Sequence, residues 1–267
     1  MKIFISLFAF TLIVFASDEF KECDQIINKQ TYKICYDYNY KGAKFVSYIL
    51  DGTLVNKTNI KKRPTFYKET TIPKQYQSTQ KDYYKSGYDK GHLLSDGSTD
   101  YNNTSLKKAY SLANSIPQAP KVNRYTWIKT ERHERALAVK YGTIKVLIGV
   151  IYGNNPKRIG LNKIAVPKAY YKKLYNDTGF NECYYYKNTI DTISKGDKLK
   201  HHLVKCNIIH TILDTHTHKK HKVNIHTQKI NAQDTHLHKK ATNTTHKYDC
   251  NTKKYCKDMI SCDEALY

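Results

Sequence analysis

The sequence predicts an α+β fold, in which short strands joined by hairpins pack with one longer helix, rather than a regular alternation of parallel strands and helices. Three stretches predict it. Residues 32–55 alternate Tyr/Val/Ile runs with turn signals at Lys41-Gly42 and Asp51-Gly52. Residues 123–141 contain no glycine or proline and spread Trp127, Ile128, Ala136, Leu137 and Val139 among charged residues, a helical pattern. Residues 143–152 then form an apolar run (Ile144, Val146, Leu147, Ile148, Val150, Ile151) of a length that suits a buried strand.

Taken in chain order, residues 1–16 place one lysine, Lys2, ahead of an apolar run that ends in Val14, Phe15 and Ala16. Val14 and Ala16 satisfy the small-residue rule, which predicts a cleavable signal peptide cut between Ala16 and Ser17. The run is short for a bilayer span, and Asp18 and Glu19 follow it at once. A periplasmic or secreted protein is expected, and no later stretch is apolar enough to span. Asp51-Gly52, set between residues 45–50 and 53–55, reads as the turn of an antiparallel hairpin. Lys61-Lys62-Arg63-Pro64 closes that unit, because the residue before a proline is pushed extended. Residues 66–86 are polar and read as a loop that wraps the surface. Residues 106–113 fit a short helix or a strand. After the helix and the buried strand, Asn154-Asn155-Pro156 stops the chain, and residues 164–167 and 170–175 add a strand or two.

The composition changes near Cys206. Residues 207–246 are polar and carry His210, His216, His218, His221, His226, His236, His238 and His246 with few large apolar residues, which predicts a flexible linker. His216-Thr217-His218 and His236-Leu237-His238 would take up transition metals whether or not they serve as a site. The domain division is therefore a leader at 1–16, a folded domain at 17–206, a linker at 207–246 and a Cys-bearing tail at 247–267.

Outside the cytosol the seven cysteines are expected to pair. Cys23 and Cys35 flank one short segment and Cys183 and Cys206 another, so each couple is placed to staple a hairpin. Cys250, Cys256 and Cys262 lie in the tail, and an odd total leaves one thiol without an intrachain partner. Spacing alone leaves the connectivity open. Lysine and arginine number 45 against 23 acidic residues, a formal charge of +22. Such a balance favours a polyanionic partner, since binding releases counterions from phosphates, but it separates neither DNA from RNA nor nucleic acid from an anionic surface.

The residues that carry chemistry are ordered along one short stretch of the chain, from Asp89 to Glu131. Asp89-Lys90-Gly91-His92 presents a histidine whose ordinary pKa lets it accept a proton near neutral pH. Gly91 permits a close backbone approach or a positive φ. Asn114-Ser115-Ile116-Pro117-Gln118 follows, and then Asn123-Arg124-Tyr125-Thr126-Trp127. The amide oxygen of Asn123 is a ligand suited to Mg²⁺, a cation that keeps most of its waters and needs few protein ligands. In a helix starting near Asn123, Trp127 and Glu131 follow at i+4 and i+8 on one face, so Glu131 can hold metal-bound waters while Trp127 packs beneath. Asparagine is also a good helix N-cap, and that role competes for the same oxygen. Together these groups supply what one-metal hydrolysis of a phosphodiester requires: a base for water and a cation for the charge on the leaving oxygen.

Asp-Lys-Gly-His, Asn-Ser-Ile-Pro-Gln and Asn-x-x-x-Trp-x-x-x-Glu, in this order over residues 32–206, resemble the DNA/RNA non-specific endonuclease family of ββα-metal nucleases. The resemblance implies a central antiparallel sheet flanked by helices and a site built from a β-hairpin and a helix. It implies His92 as general base, Asn123 as the direct protein ligand of Mg²⁺ (with Mn²⁺ as the alternative ion), and Glu131 acting through metal-bound waters. It also places Arg63 near the scissile phosphate, as a catalytic and substrate-binding cation, and Asn114 as a buttress of the site. Lys90 stands where the family usually has arginine; it keeps the charge for substrate contact but loses the planar fork. DNA and RNA are the implied substrates. The tail, from Cys250-Asn251-Thr252 to Cys262-Asp263-Glu264-Ala265, resembles the start of an Excalibur calcium-binding module without its acidic loop, and is expected to be a remnant that binds no calcium.

Two other classes compete with a hydrolase. A secreted nucleic-acid-binding protein that kept the fold and lost catalysis would share the charge, the leader and the cysteines, but would not need His92, Asn123 and Glu131 together. A metal-sequestering protein would use the histidine-rich segment and leave the upstream motifs unexplained.

Overall fold

A computed structural model describes residues 22–189 and 196–209. The expected leader, nearly all of the histidine-rich segment and the tail cysteines lie outside the described residues. The centre is a seven-stranded antiparallel sheet in the order β1 (Gln25–Asn28), β2 (Tyr32–Asp37), β3 (Gly42–Asp51), β6 (Thr143–Ile151), β9 (Ala169–Tyr175), β10 (Asn181–Lys187) and β11 (Leu203–Val204). Two small hairpins stand apart from it. One pairs β4 (Asp89–His92) with β5 (Ser115–Gln118), and the other pairs β7 (Arg158–Ile159) with β8 (Ile164–Ala165). The helices are α1 (Gln80–Tyr83), α2 (Asn103–Ala109) and α3 (Ile128–Tyr141). Among the described residues no helix is long and apolar enough to cross a membrane.

Period-two alternation explains why the central strands are apolar on both faces. Ile144, Val146, Ile148 and Val150 of β6 join the larger core, with Trp127, Leu137 and Ala138 of the helical layer. Leu147 and Ile151 point the other way, into a second cluster with Cys35, Phe45, Ala169, Tyr171 and Cys183. The same alternation on β9 sends Tyr170 and Leu174 toward the helical layer, and Lys172 with them. The strand expected over 143–152 is thus present and buried. Disulfides Cys23–Cys35 and Cys183–Cys206 join the anticipated couples, one beside the β1–β2 hairpin and one tying β10 to the chain just beyond β11. Ile209 lies three residues past the expected domain boundary and yet is buried in the second cluster, so the packed unit runs beyond Cys206.

Several local readings are corrected. Asp51-Gly52 is not a hairpin turn: β3 ends there, pairs with β6 through Asp51 opposite Thr143, and the chain leaves in turns closed by Leu54 and Val55 N–H donating to Asp51 O. The real hairpin turn is at residues 38–41, ending in Lys41 with φ 52°. Gly52 serves a different need, because a Cβ there would lie 2.2 Å from the carbonyl oxygen of Ala138 on α3. Residues 66–86 are largely irregular and surface-lying, as expected, apart from a 3₁₀ turn at Lys74–Tyr76 and α1, but some of their polar groups turn inward. Glu69 is buried and accepts from Ser111 (2.8 Å) and Thr71 (3.0 Å) while pairing with Lys29, and Asp82 accepts from Thr79 and Asn162. Polar residues are retained inside here because each finds partners. The ambiguous segment at 106–113 is the end of α2, capped by Asn102 accepting from Ser105 N–H, followed by a 3₁₀ turn at Leu112–Asn114.

The helix expected from Asn123 begins earlier, at Pro120, where a missing N–H costs nothing. Asn123 N–H already donates to Ala119 O at 2.9 Å, so Asn123 is inside the first turn and not its cap. Val122–Trp127 is a π-helical turn that runs into α3. The wider turn departs from the ideal i+4 phase assumed for Asn123, Trp127 and Glu131, and such turns recur at functional sites.

Because Gly52 sits against the α3 backbone, Gly52→Ala is expected to lower stability by about 1–3 kcal/mol, read as a drop in the urea midpoint at unchanged slope. An unaltered midpoint would mean that α3 and the end of β3 move apart freely.

Candidate active site

Strand β4 carries the histidine and β5 holds it from behind. Gly91 lies opposite Ile116 in the pair, and a Cβ on it would fall 1.8 Å from Gln118 Oε1. Its φ is not positive, so of the two reasons considered for this glycine, close approach is the operative one. Asn114 is fully buried, accepts from Leu94 N–H (2.9 Å), and donates to Leu94 O and Ala109 O (both 2.9 Å). Its backbone carbonyl also takes Leu93 N–H at 2.9 Å. Asn114 therefore fixes the two residues that follow His92 and is a positioning residue.

The His92 ring is packed rather than hydrogen-bonded. Phe66 stacks on it at 4.9 Å and Tyr110 meets it edge-on at 4.8 Å. Nε2 is buried without a partner among the described residues. Burial pushes the imidazole down to about 4, and Arg63 acts in the same direction while Asp96 opposes. The ring is thus neutral over the physiological range, the form that accepts a proton. Arg63 reaches Asp100 at 3.1 Å and Asp96 at 3.5 Å, and Tyr110 donates to Asp96 at 2.8 Å.

The hairpin and the helix are joined by two contacts. Trp127, fully buried, donates its indole N–H to the His92 carbonyl at 3.0 Å. Asp89 receives Arg124 in a bidentate pair (2.7 and 2.9 Å) and the Asn123 amide nitrogen at 3.0 Å. A carboxylate only accepts, so the Asn123 amide must turn its NH₂ toward Asp89 and leave its carbonyl oxygen free to ligate. Among the described residues that oxygen receives no hydrogen bond, and no group of three or more His, Cys, Asp or Glu is placed to hold a metal. An amide oxygen is a donor suited to a hard cation, which needs few protein ligands.

Glu131 is half-buried, and burial pushes its carboxyl up to about 7; Lys172 opposes that rise, while Glu134 and Asp96 add to it. Glu134 is itself fully buried, paired with Lys172 and accepting from Tyr48 (3.0 Å) and Ser98 (2.9 Å). The Lys172 ammonium also lies 4.4 Å from the Trp127 ring. Lys90 stands over Phe66 at 5.4 Å and Tyr83 at 5.9 Å. His92, Asn123 and Asn114 are thus linked through the hairpin, the fields of Asp96 and Arg63 both reach His92, and that of Asp96 also reaches Glu131. Sequence reasoning missed Asp96, Tyr110, Phe66, Glu134 and Lys172. The one available signal was Lys172, a lysine on the buried phase of a strand between Tyr170 and Leu174.

A small hairpin bearing histidine, locked onto a helix bearing asparagine and flanking a large antiparallel sheet, is the ββα-metal arrangement. The chain belongs to the DNA/RNA non-specific endonuclease family, whose profile matches residues 15–252. It is similar to human mitochondrial endonuclease G, 26% identical over 160 residues that cover 56% of this chain and 54% of that protein. It is also similar to nuclease C1 of Cunninghamella echinulata var. echinulata, 27% identical over 130 residues (45% and 52%). The mitochondrial nuclease of Saccharomyces cerevisiae is 25% identical over 127 residues (47% and 39%). The chain spans about half the length, or less, of these relatives. Among solved structures, a chain in the crystal structure of the EndoG/EndoGI complex superposes with a TM-score of 0.63 at 23% identity, covering 70% of this chain and 82% of that one, which shows the shared fold.

Burial of His92 has a consequence for stability. Its folded pKa lies below the unfolded value of about 6.5, so as pH falls from about 6.5 to about 4 the unfolded chain takes up a proton that the native state refuses. Over that window the wild type is expected to lose stability relative to His92→Gln, measured by urea denaturation at each pH. Parallel pH profiles for the two would contradict a buried neutral ring.

Proposed function

We propose that this protein is a secreted or periplasmic, Mg²⁺-dependent endonuclease that hydrolyses phosphodiester bonds in both DNA and RNA. The observation that carries the reading is the Asp89 carboxylate, which takes the Asn123 NH₂ and so leaves the amide oxygen to ligate, on the same short strand as a histidine kept neutral by burial. His92 takes the proton of a water molecule as its oxygen bonds to phosphorus, and the P–O ester bond on the opposite side breaks. Arg63 offsets charge gathering on the phosphate oxygens, and Lys90 contributes a substrate contact from the same strand. A hard cation, when bound, supplies charge stabilisation at the leaving oxygen; Asn123 would hold it directly and Glu131 through water. Asn114 and Trp127 keep the base in place without touching substrate. The net charge of +22 favours a polyanion and is compatible with nucleic acid of either sugar. Two disulfides among the described residues support a compartment outside the cytosol.

The test is incubation of the purified chain with plasmid DNA and with RNA, first with Mg²⁺ and then with EDTA. Cleavage of both substrates that EDTA abolishes is expected. His92→Ala should lower turnover by about 10²- to 10⁴-fold while DNA binding persists. Asn123→Ala should lose the activity response to Mg²⁺. A wild-type chain that binds nucleic acid but cuts neither substrate with Mg²⁺ or Mn²⁺ would establish the non-catalytic binding protein instead.

A further inference from the structure

The turn that leads into β4 has no part in the chemistry above, yet its surface is unusual. Tyr84 is 74% exposed, and the Lys85 ammonium lies 5.3 Å from its ring. Lys85 has φ 52° and Gly87 φ 82°, so the chain reverses tightly and returns through Tyr88 into Asp89. Lys157, at the base of the β7–β8 hairpin, stands 5.2 Å from the Tyr88 ring. The hairpin is clamped to this turn by Asn162, whose backbone and side-chain N–H groups both donate to Asp82. Both carboxylates of residues 82–90 are engaged, Asp82 by Thr79 and Asn162 and Asp89 by Arg124 and Asn123. The segment thus presents cations and an aromatic face. It is continuous with the candidate site, because Lys90 contacts the rings of Tyr83 and Phe66, and Phe66 stacks on His92.

We propose that this turn is a binding platform for unpaired nucleotides flanking the bond to be cut. Tyr84 is the surface on which a base stacks, and Lys85 and Lys157 contact phosphates on either side. The inference rests on the nuclease reading above and adds a strand preference to it. Charge complementarity favours an anionic backbone over an apolar or basic partner, and the exposed Tyr84 ring favours one that carries bases. An exposed ring favours a single strand, since a base inside a duplex has no free face to offer and stacking tolerates every base. Tyr88 has another role: it packs against the cluster of Tyr83, Leu112, Ile159, Ile164 and Val166, and so holds Lys157 in place.

The experiment uses the full chain carrying His92→Ala, so that no substrate is cut, and reads fluorescence anisotropy with a labelled oligo(dT) single strand and with a labelled duplex of equal length. Stacking on one aromatic residue is worth about 5- to 150-fold in affinity. Tyr84→Ala is expected to weaken single-strand binding by about tenfold and duplex binding by less than about twofold, and Tyr84→Phe to restore the wild-type ratio. Tyr141, 40% exposed and paired with Lys140 at 5.2 Å on α3, is a control of the same kind far along the chain; Tyr141→Ala should alter neither. Equal losses on the two probes, or none on the single strand, would overturn the platform while leaving the nuclease reading intact. Failure of the His92→Ala chain to bind either probe would overturn both.

Discussion

Asp89 holds the site together because one carboxylate serves two elements. It sits on β4, three residues before the histidine, and it binds the side chains of Asn123 and Arg124 in the helical turn. The bidentate arginine neutralises its charge and anchors it. The remaining acceptor capacity then dictates the sense of the Asn123 amide. The second tie, from Trp127 to the His92 carbonyl, fixes the same two elements at the other end of the strand. Without these contacts a pair of four-residue strands and a π-helical turn would have little reason to keep one geometry. The sheet supplies the platform, but the hairpin–helix lock sets how His92 and Asn123 lie relative to each other.

Beneath the lock lies a buried charge pair. Glu134 and Lys172 are both fully buried, and each is satisfied by more than the other: Tyr48 and Ser98 donate to Glu134, and Lys172 also faces the Trp127 ring. A buried pair of this kind contributes little net stability because desolvation offsets the attraction, whereas removing one partner is costly. Its evident effect here is positional. It connects α3 to β3, to β9 and to the turn after His92, and its lysine tempers the rise in Glu131 that burial causes.

Much of this was legible in the sequence. The apolar run of β6, a further strand at 170–175, the helix that bears Trp127 and the motifs that carry the family resemblance are all legible in the chain, as are two cysteine couples placed to staple hairpins, though spacing leaves their pairing open. The failures are equally instructive. Asp51-Gly52 has hairpin composition, but its glycine answers a helix packed against it, a contact more than 80 residues away in the chain that no local pattern records. The polar stretch at 66–86 reads as a surface loop, and composition does not reveal that Glu69 and Asp82 within it find internal partners. The π-helical turn escaped because six residues are too few for its wider repeat to leave a periodic mark in the sequence. Asp96, Tyr110 and Phe66 reach His92 only through the fold, whereas Lys172 could have been suspected from its phase on the strand.

The claim that most needs testing is that Asp89 sets the metal ligand. Isothermal titration of Mn²⁺ or Mg²⁺ into the wild type and into Asp89→Asn would test it directly, with circular dichroism confirming that both are folded. The account predicts that the asparagine, which can donate as well as accept, lets the Asn123 amide turn and weakens metal binding by about 10- to 100-fold. Unchanged affinity in a folded Asp89→Asn protein would contradict it.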